Sequence, residues 1–286
     1  MRIFSEIPAR AVSKVATYWS WNSKTHDQRT IDQLQRDLDA IEKRTPMIDN
    51  YARIDPEIIE TEQAGTKFRF IIYHRESKAW FGQTNRDAAV EGAAKVIRDD
   101  EVVFDLGCNS GYHTAWFAVR CAKGRVYSFD PYPWNAAATR AQAVLNRCSN
   151  VTVYPIGIGE SDRSIEVDQT SSKTFNAELR PDHRMLIEVQ KPDYFRDHNP
   201  TFLKIDIEGA EQEIARSTIL SWPSVKRGYV EMHTRFIECA GEDPRLFLRR
   251  LEREGFSIHF CDPSGCPVNP ATETVKETAY FFSRLS

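Results

Sequence analysis

Two spacings share this chain. Apolar residues at Phe4, Ile7, Ala11, Val15 and Tyr18–Trp19 recur at helical intervals, and Ile31, Leu34, Leu38 and Ile41 form a second helical stripe that Pro46 closes. Lys67–His74 (KFRFIIYH) reads as a strand and Arg86–Asp99 as a helix. From Glu101 the rhythm changes. Short apolar or β-rich runs (VVFDLG, RVYSFDP, VTVYPIGI, FLKIDIEG, GYVEMH, FSIHFCD, AYFFSR) alternate in several places with helical patterns (YHTAWFAVRCA, PWNAAATRAQAVLN, AEQEIARSTIL, DPRLFLRRLEREG). Such alternation predicts βαβ units, hence an α/β, Rossmann-like fold of about seven strands, mostly parallel, with helices on both faces. A Pro/Gly-rich loop rather than a helix joins the last two runs, so they are expected to pair antiparallel at one edge. The chain thus divides into a mainly helical N-terminal extension, residues 1–98, and an alternating domain, residues 99–286.

Composition narrows the partners. Thirty-eight basic and 41 acidic residues give a net charge of −3, which argues against a nucleic-acid binder working by bulk charge. No run approaches the ~18 apolar residues of a membrane span, so no transmembrane segment is expected. The N-terminus lacks the leader pattern of an exported protein, and a cytoplasmic location is expected. Arg2, Arg10 and Lys14 leave a peripheral contact of residues 1–20 with an anionic membrane open. Pro8 interrupts that helix and its basic residues are few, which favours docking on its own protein or on a second copy in a homodimer. The stripe at residues 31–41 is too short for a coiled coil and is expected to pack on the main body or across a dimer. Six cysteines are too sparse for a disulfide scaffold, and His259, Cys261 and Cys266 lack a fourth zinc ligand.

The first strand of the alternating part ends in Asp105-Leu106-Gly107-Cys108-Asn109-Ser110-Gly111. Glycines there allow a tight turn and close backbone approach to a ligand. The middle glycine of a dinucleotide fingerprint is absent, and Asp105 would oppose a pyrophosphate; both disfavour a nicotinamide-dependent oxidoreductase. An acidic strand end suits a cationic ligand such as S-adenosylmethionine, whose single carboxylate the following helix N-terminus can receive. Asp130, roughly 20 residues on, ends the next strand where a carboxylate accepts from ribose hydroxyls, and Pro131-Tyr132 can pack on adenine. Asn109 belongs to the same turn. A buried-looking strand carrying Lys204, Asp206, Glu208 and Glu211 (FLKIDIEGAE) is costly unless those charges are paired or functional.

At VVFDLGCNSGYHT (102–114), YSFDPYPWNAA (127–137), FLKIDIEGAEQEI (202–214) and YVEMH (229–233) the chain resembles the FkbM family of S-adenosylmethionine-dependent methyltransferases. The resemblance implies the class I methyltransferase fold and, most often, O-methylation of a hydroxyl on a sugar, glycan or natural product. Asp130 stands where glutamate is commoner, Cys108 where alanine is frequent and Ser110 where an aliphatic residue is usual. Cofactor contacts then fall on Asp105, Gly107, Asn109, Gly111, Asp130, Pro131 and Tyr132. Asp206 and His233 are expected as an acid/base pair with Glu231 orienting or binding substrate, because these residues end adjacent strands and a histidine titrates near neutrality. Lys204 and Glu208 read either as substrate-binding groups or as a structural ion pair, and Glu211 as a stabiliser of its helix. The hard oxygen ligands of Asp206, Glu208 and Glu231 would suit Mg²⁺, though no metal is expected. Segment 159–200 mixes Asp168, Lys173, Asn176, Asp182, His183 and Arg184 with Phe175, Tyr194 and Phe195, which suits a sugar at a bordering acceptor pocket or, equally, a solvated loop. A catalytically inactive interaction module is the reading from another class.

Overall fold

The computed structural model describes residues 25–81, 87–168, 184–261 and 266–284. The stripe at residues 4–19 lies outside these, as do Lys173, Phe175, Asn176, Asp182 and His183 of the expected acceptor segment. Helix α1 (His26–Glu42) leads into a hairpin, β1 (Arg53–Gln63) and β2 (Thr66–His74), then helices α2 (Arg75–Phe81) and α3 (Ala88–Ala94). The alternating part begins β3 (Val102–Leu106), α4 (Tyr112–Arg120), β4 (Arg125–Phe129), α5 (Pro133–Leu145) and β5 (Val151–Tyr154). Three strands follow, β6 (Gly157–Ile158), β7 (Arg163–Asp168) and β8 (Arg184–Gln190). The chain then runs β9 (Phe202–Ile205), α6 (Glu211–Arg216), β10 (Arg227–Glu231), α7 (Thr234–Cys239), α8 (Arg245–Arg253), β11 (Phe256–Phe260) and β12 (Ala279–Arg284).

Seven strands form the main sheet in the order β11-β12-β10-β9-β3-β4-β5. The run from β10 to β5 is parallel, and β12 enters antiparallel between β10 and β11. Strand order reverses between β3 and β9, and sheets of this kind open a crevice at the carboxyl ends of the strands flanking such a reversal. Side-chain alternation assigns the faces. Val103, Phe202 and Tyr229 point into one core with Trp116 and Phe117 of α4. Phe104, Leu203, Ile205 and Val230 point into the other with Ile214 of α6 and Leu248 and Leu251 of α8.

Ahead of the sheet, the single expected strand at 67–74 has a partner. Arg53–Gln63 pairs antiparallel with it, with an irregularity between Arg53 and Glu57 around Pro56. Pro56 and the acids Asp55, Glu57, Glu60 and Glu62 hide this strand in the sequence, because both classes are depleted in strands and tolerated at edges. Phe68, Phe70 and Ile72 of β2 share a core with Tyr112 and Trp116. In α1, Leu34 and Leu38 are buried with Trp134, Ala137 and Ala138 of α5, so the second stripe packs on the main body. No described helix is long and apolar enough to cross a membrane.

The free edge of β2 is closed by side chains rather than by a strand. Gln142 accepts from the Ile71 amide at 2.8 Å and donates to the Ile71 carbonyl at 2.9 Å. One helical turn on, Asn146 does the same to Arg69, with both bonds at 2.8 Å. A helical turn and a two-residue step along a strand both span about 6 Å, so the two carboxamides meet alternate strand residues. Gln142→Leu would strand two buried backbone groups, at a cost of about 2–4 kcal/mol. The expected reading is a lower urea midpoint at unchanged slope.

Candidate active site

The turn from β3 into α4 is shaped by a crossing of chains. Gly107 adopts φ +79°, and a Cβ there would lie 1.8 Å from the Asp206 carbonyl oxygen. At Gly111, φ +83°, a Cβ would meet the Thr139 backbone at 2.8 Å. No other residue fits either place, so the glycines let this turn run against β9's exit and against α5. Between them, the Asn109 amide donates to Asp130 Oδ2 at 2.8 Å. The other Asp130 oxygen accepts from the Tyr132 amide at 3.0 Å and from Asn135 Nδ2 at 3.1 Å. Burial pushes the Asp130 carboxyl up to about 6, although these three donors and Lys204 pull against it.

A cleft of about 750 Å³, its open mouth included, lies over this turn. Gly107, Asn109, Asp130, Pro131 and Tyr132 line it, and so do Asp206 and Glu208 from the end of β9. The small sheet of β6, β8 and β7 contributes Ile158, Arg163, Ile187 and Val189, so part of segment 159–200 does border the cleft. Arg163 is ion-paired there with Glu213 of α6. Tyr51 also reaches the cleft, although no motif marks it in the sequence.

Several expected site residues stand behind the cleft wall. Lys204 is 1% exposed, and its Nζ lies 3.2 Å from both Asp105 Oδ1 and Asp206 Oδ2. It also donates to the Gly107 carbonyl. Burial would lower the ammonium's pKa, but Asp105 and Asp206 outweigh it and raise it. The alternative of a Lys204–Glu208 ion pair is therefore corrected: the lysine turns to the neighbouring strand, where Asp105 is its register partner. Asp105 is fully buried and also accepts from Thr114 at 2.6 Å. Gly111 supports the helix start rather than lining the cleft.

Three carboxylates, the cleft-lining Asp206 and Glu208 together with Glu211, surround the His233 imidazole, and neither His233 nor Glu231 lines the cleft itself. His233 Nδ1 lies 2.8 Å from Glu211 Oε1, and Nε2 lies 3.6 Å from Glu208 and 3.9 Å from Asp206. Burial opposes a charged ring, yet Glu211, Asp206 and Glu208 together raise His233 to about 10. Near pH 7 that shift favours the imidazolium, a cation within this group, rather than the expected neutral histidine ready to accept a proton. Burial, then the charge of Asp206, raises Glu208 to about 7. Glu231, exposed at the end of β10, is also raised to about 7, chiefly by the charge of Asp206. Burial would raise Asp206 too, but Lys204 and His233 hold it below the usual carboxylate range. Glu208 sits at φ +52°, a left-handed conformation costly for a side-chain-bearing residue and often retained where function needs it. A second histidine, His113 of α4, lies 2.7 Å from Asp87, a pair without any sequence signal.

These residues fit S-adenosylmethionine. The Gly107 backbone presents no side chain, Asp130 offers a buried acceptor beside an aromatic ring, and Asp206 and Glu208 give the cleft an anionic mouth for a sulfonium or ammonium. Fold and cleft define an S-adenosylmethionine-dependent methyltransferase. Residues 105–258 match the family model described as the methyltransferase FkbM domain, over half of the 286 residues, and the chain belongs to that family. Among solved structures, it is similar to methyltransferase FkbM from Methylobacillus flagellatus KT (22% identity, TM-score 0.44, 66% of this chain), spanning only 45% of that chain. It is also similar to a SAM-dependent O-methyltransferase from Thermotoga maritima (14%, TM-score 0.40, 80% of this chain and 78% of that one). The fibrillarin pre-rRNA processing protein of Methanococcus jannaschii gives 15%, a TM-score of 0.43, and 83% and 86% coverage. A comparison with curated proteins found no match.

Proposed function

We propose that the protein is an O-methyltransferase whose acceptor is a hydroxyl of a sugar, a glycan or a comparably polar natural product. One juxtaposition carries this reading: Asp206 and Glu208, two carboxylates of unlike proton affinity, line the same cleft as Asp130 and the glycine turn. Bound S-adenosylmethionine supplies a methyl group on a sulfonium leaving group. Gly107, Asn109, Asp130, Pro131 and Tyr132 form its cradle, with Gly111 shaping the turn behind it and Asp105 acting through Lys204. An alcohol is too weak an acid to ionise beforehand, so its proton leaves as the C–O bond forms. Asp206, kept anionic by Lys204, faces the acceptor oxygen and stabilises the positive charge that grows on it as the C–O bond forms, while the hydroxyl's hydrogen bond goes to Glu208. Glu208 takes the proton, since a carboxylate near 7 is half deprotonated at neutrality. The imidazolium of His233 holds Glu208 in place, and Glu231 orients the acceptor from the end of β10. The Arg163–Glu213 pair on the cleft wall supports a polar acceptor over a flat phenol.

The test is the pH dependence of kcat/KM on a panel of glycosides and phenols. A base raised to about 7 must lose its proton to work, so kcat/KM is expected to climb through that region and level above it. Glu208→Gln should remove the limb and most of the rate. An unchanged profile in that variant, or turnover confined to phenols, would refute the corresponding half of the proposal.

A further inference from the structure

We propose that Tyr51, backed by Glu76, is a cofactor-recognition residue that the N-terminal segment lends to the cleft, its hydroxyl serving the nucleoside's ribose side next to Asp130. The inference rests on reading the cleft as the S-adenosylmethionine site. Tyr51 lies in a 3₁₀ turn, Asp49–Tyr51, and is 1% exposed, yet it lines the cleft together with Asp130, Tyr132 and Asn135. Its ring packs 5.7 Å from Tyr132 and 5.2 Å from Trp134, centroid to centroid, with His74 edge-on at 5.3 Å. A ring fixed on three sides keeps its hydroxyl in one position.

Burial keeps that phenol protonated, and Glu76, from the first turn of α2, acts on it in the same direction through its charge. Glu76 is 9% exposed, and its Oε2 has no protein donor among the described residues. Burial and the nearby Asp130 both raise the Glu76 carboxyl. A buried carboxylate oxygen without a donor, Glu76 Oε2, near Asp130 and Tyr51, is a costly arrangement unless a further donor arrives. A vicinal diol supplies two O–H donors of the kind this corner lacks. The corner is also built to hold still. His74 is buried and its Nδ1 accepts from the Ser77 amide at 2.9 Å, which leaves Nε2–H to donate to Ser110 Oγ at 3.2 Å. The segment carrying Tyr51 and Glu76 is thereby tied to the cofactor turn itself.

The experiment is calorimetric titration of the full chain with S-adenosylhomocysteine and with 5′-methylthioadenosine, which keeps the nucleoside and lacks the amino-acid end. Tyr51→Phe preserves the ring packing and is expected to weaken both ligands by one common factor, about three- to tenfold, the usual size of one lost hydrogen bond. Glu76→Gln should act in the same direction on both. Affinities within twofold of the parent in these variants, even with a lowered melting temperature, would overturn the proposal and leave Tyr51 a packing residue. A loss confined to S-adenosylhomocysteine would overturn it too, by placing the contact at the amino-acid end. Asp130→Ala separates the two levels: parent-like binding there sinks the reading of the cleft, whereas weakened binding there with unaffected Tyr51 variants sinks this inference alone.

Discussion

Asp206→Asn is expected to lower kcat by roughly 10²–10³-fold, the range associated with losing a group that stabilises charge in the transition state, while S-adenosylhomocysteine still binds within about threefold of the parent. The substitution keeps shape and removes charge. Asp206 owes its ionised state to Lys204 at 3.2 Å and to the imidazolium of His233, against the penalty of burial. An amide in its place still accepts from Lys204, so the fold keeps its contacts, and Lys204 retains Asp105 at 3.2 Å. What is lost is the anion facing the acceptor, needed only as positive charge grows on its oxygen. Single-turnover kinetics alongside calorimetry make the check. Turnover at the parent's rate would remove Asp206 from the mechanism, and lost binding would move it to the cofactor.

Lys204→Met is the substitution with the largest expected effect on stability. It deletes the cation that sits between Asp105, which is fully buried, and Asp206. Removing one partner of a buried pair costs about 3–5 kcal/mol, because the remaining charge keeps its desolvation penalty without its compensation. For a chain of this size that is a fall in melting temperature of about 5–8 °C. The pairing account makes a sharper statement about the double variant. Asp105→Asn together with Lys204→Met removes both charges and should recover part of the loss, whereas independent packing defects would add. A double variant no more stable than Lys204→Met would show that the ion pair is not the cause.

The sequence announces some of this site and conceals the rest for a physical reason. Gly107, Gly111 and Asp130 are legible because tight turns impose fixed spacings on neighbours in the chain. The order of the strands is legible because a sheet buried on both faces needs apolar runs, and β3 and β9 supply them. Partnerships across strands are not written locally. Lys204 finds Asp105 only because β9 lies beside β3 in a register that sets the two residues opposite each other. Glu208, four residues along, is the nearer guess and the wrong one. His233 likewise titrates by virtue of Glu211, a residue from another element, so its isolated pKa misleads. Tyr51 is silent for the same reason, since its meaning lies in Glu76 and in a cleft built mostly by chain beyond residue 100.

The carboxamide of Gln142 joins more than β2 and α5. Its nitrogen donates to Ile71 at 2.9 Å and also to the Ser110 carbonyl at 3.2 Å. A tug on the hairpin at Ile71 is thus delivered, through one planar group with no rotatable bond between its ends, to the loop that carries Asn109. In mechanical terms the ligand-facing loop has a stay anchored outside the main sheet. A load on the N-terminal hairpin would strain this loop before it reached the strands beneath.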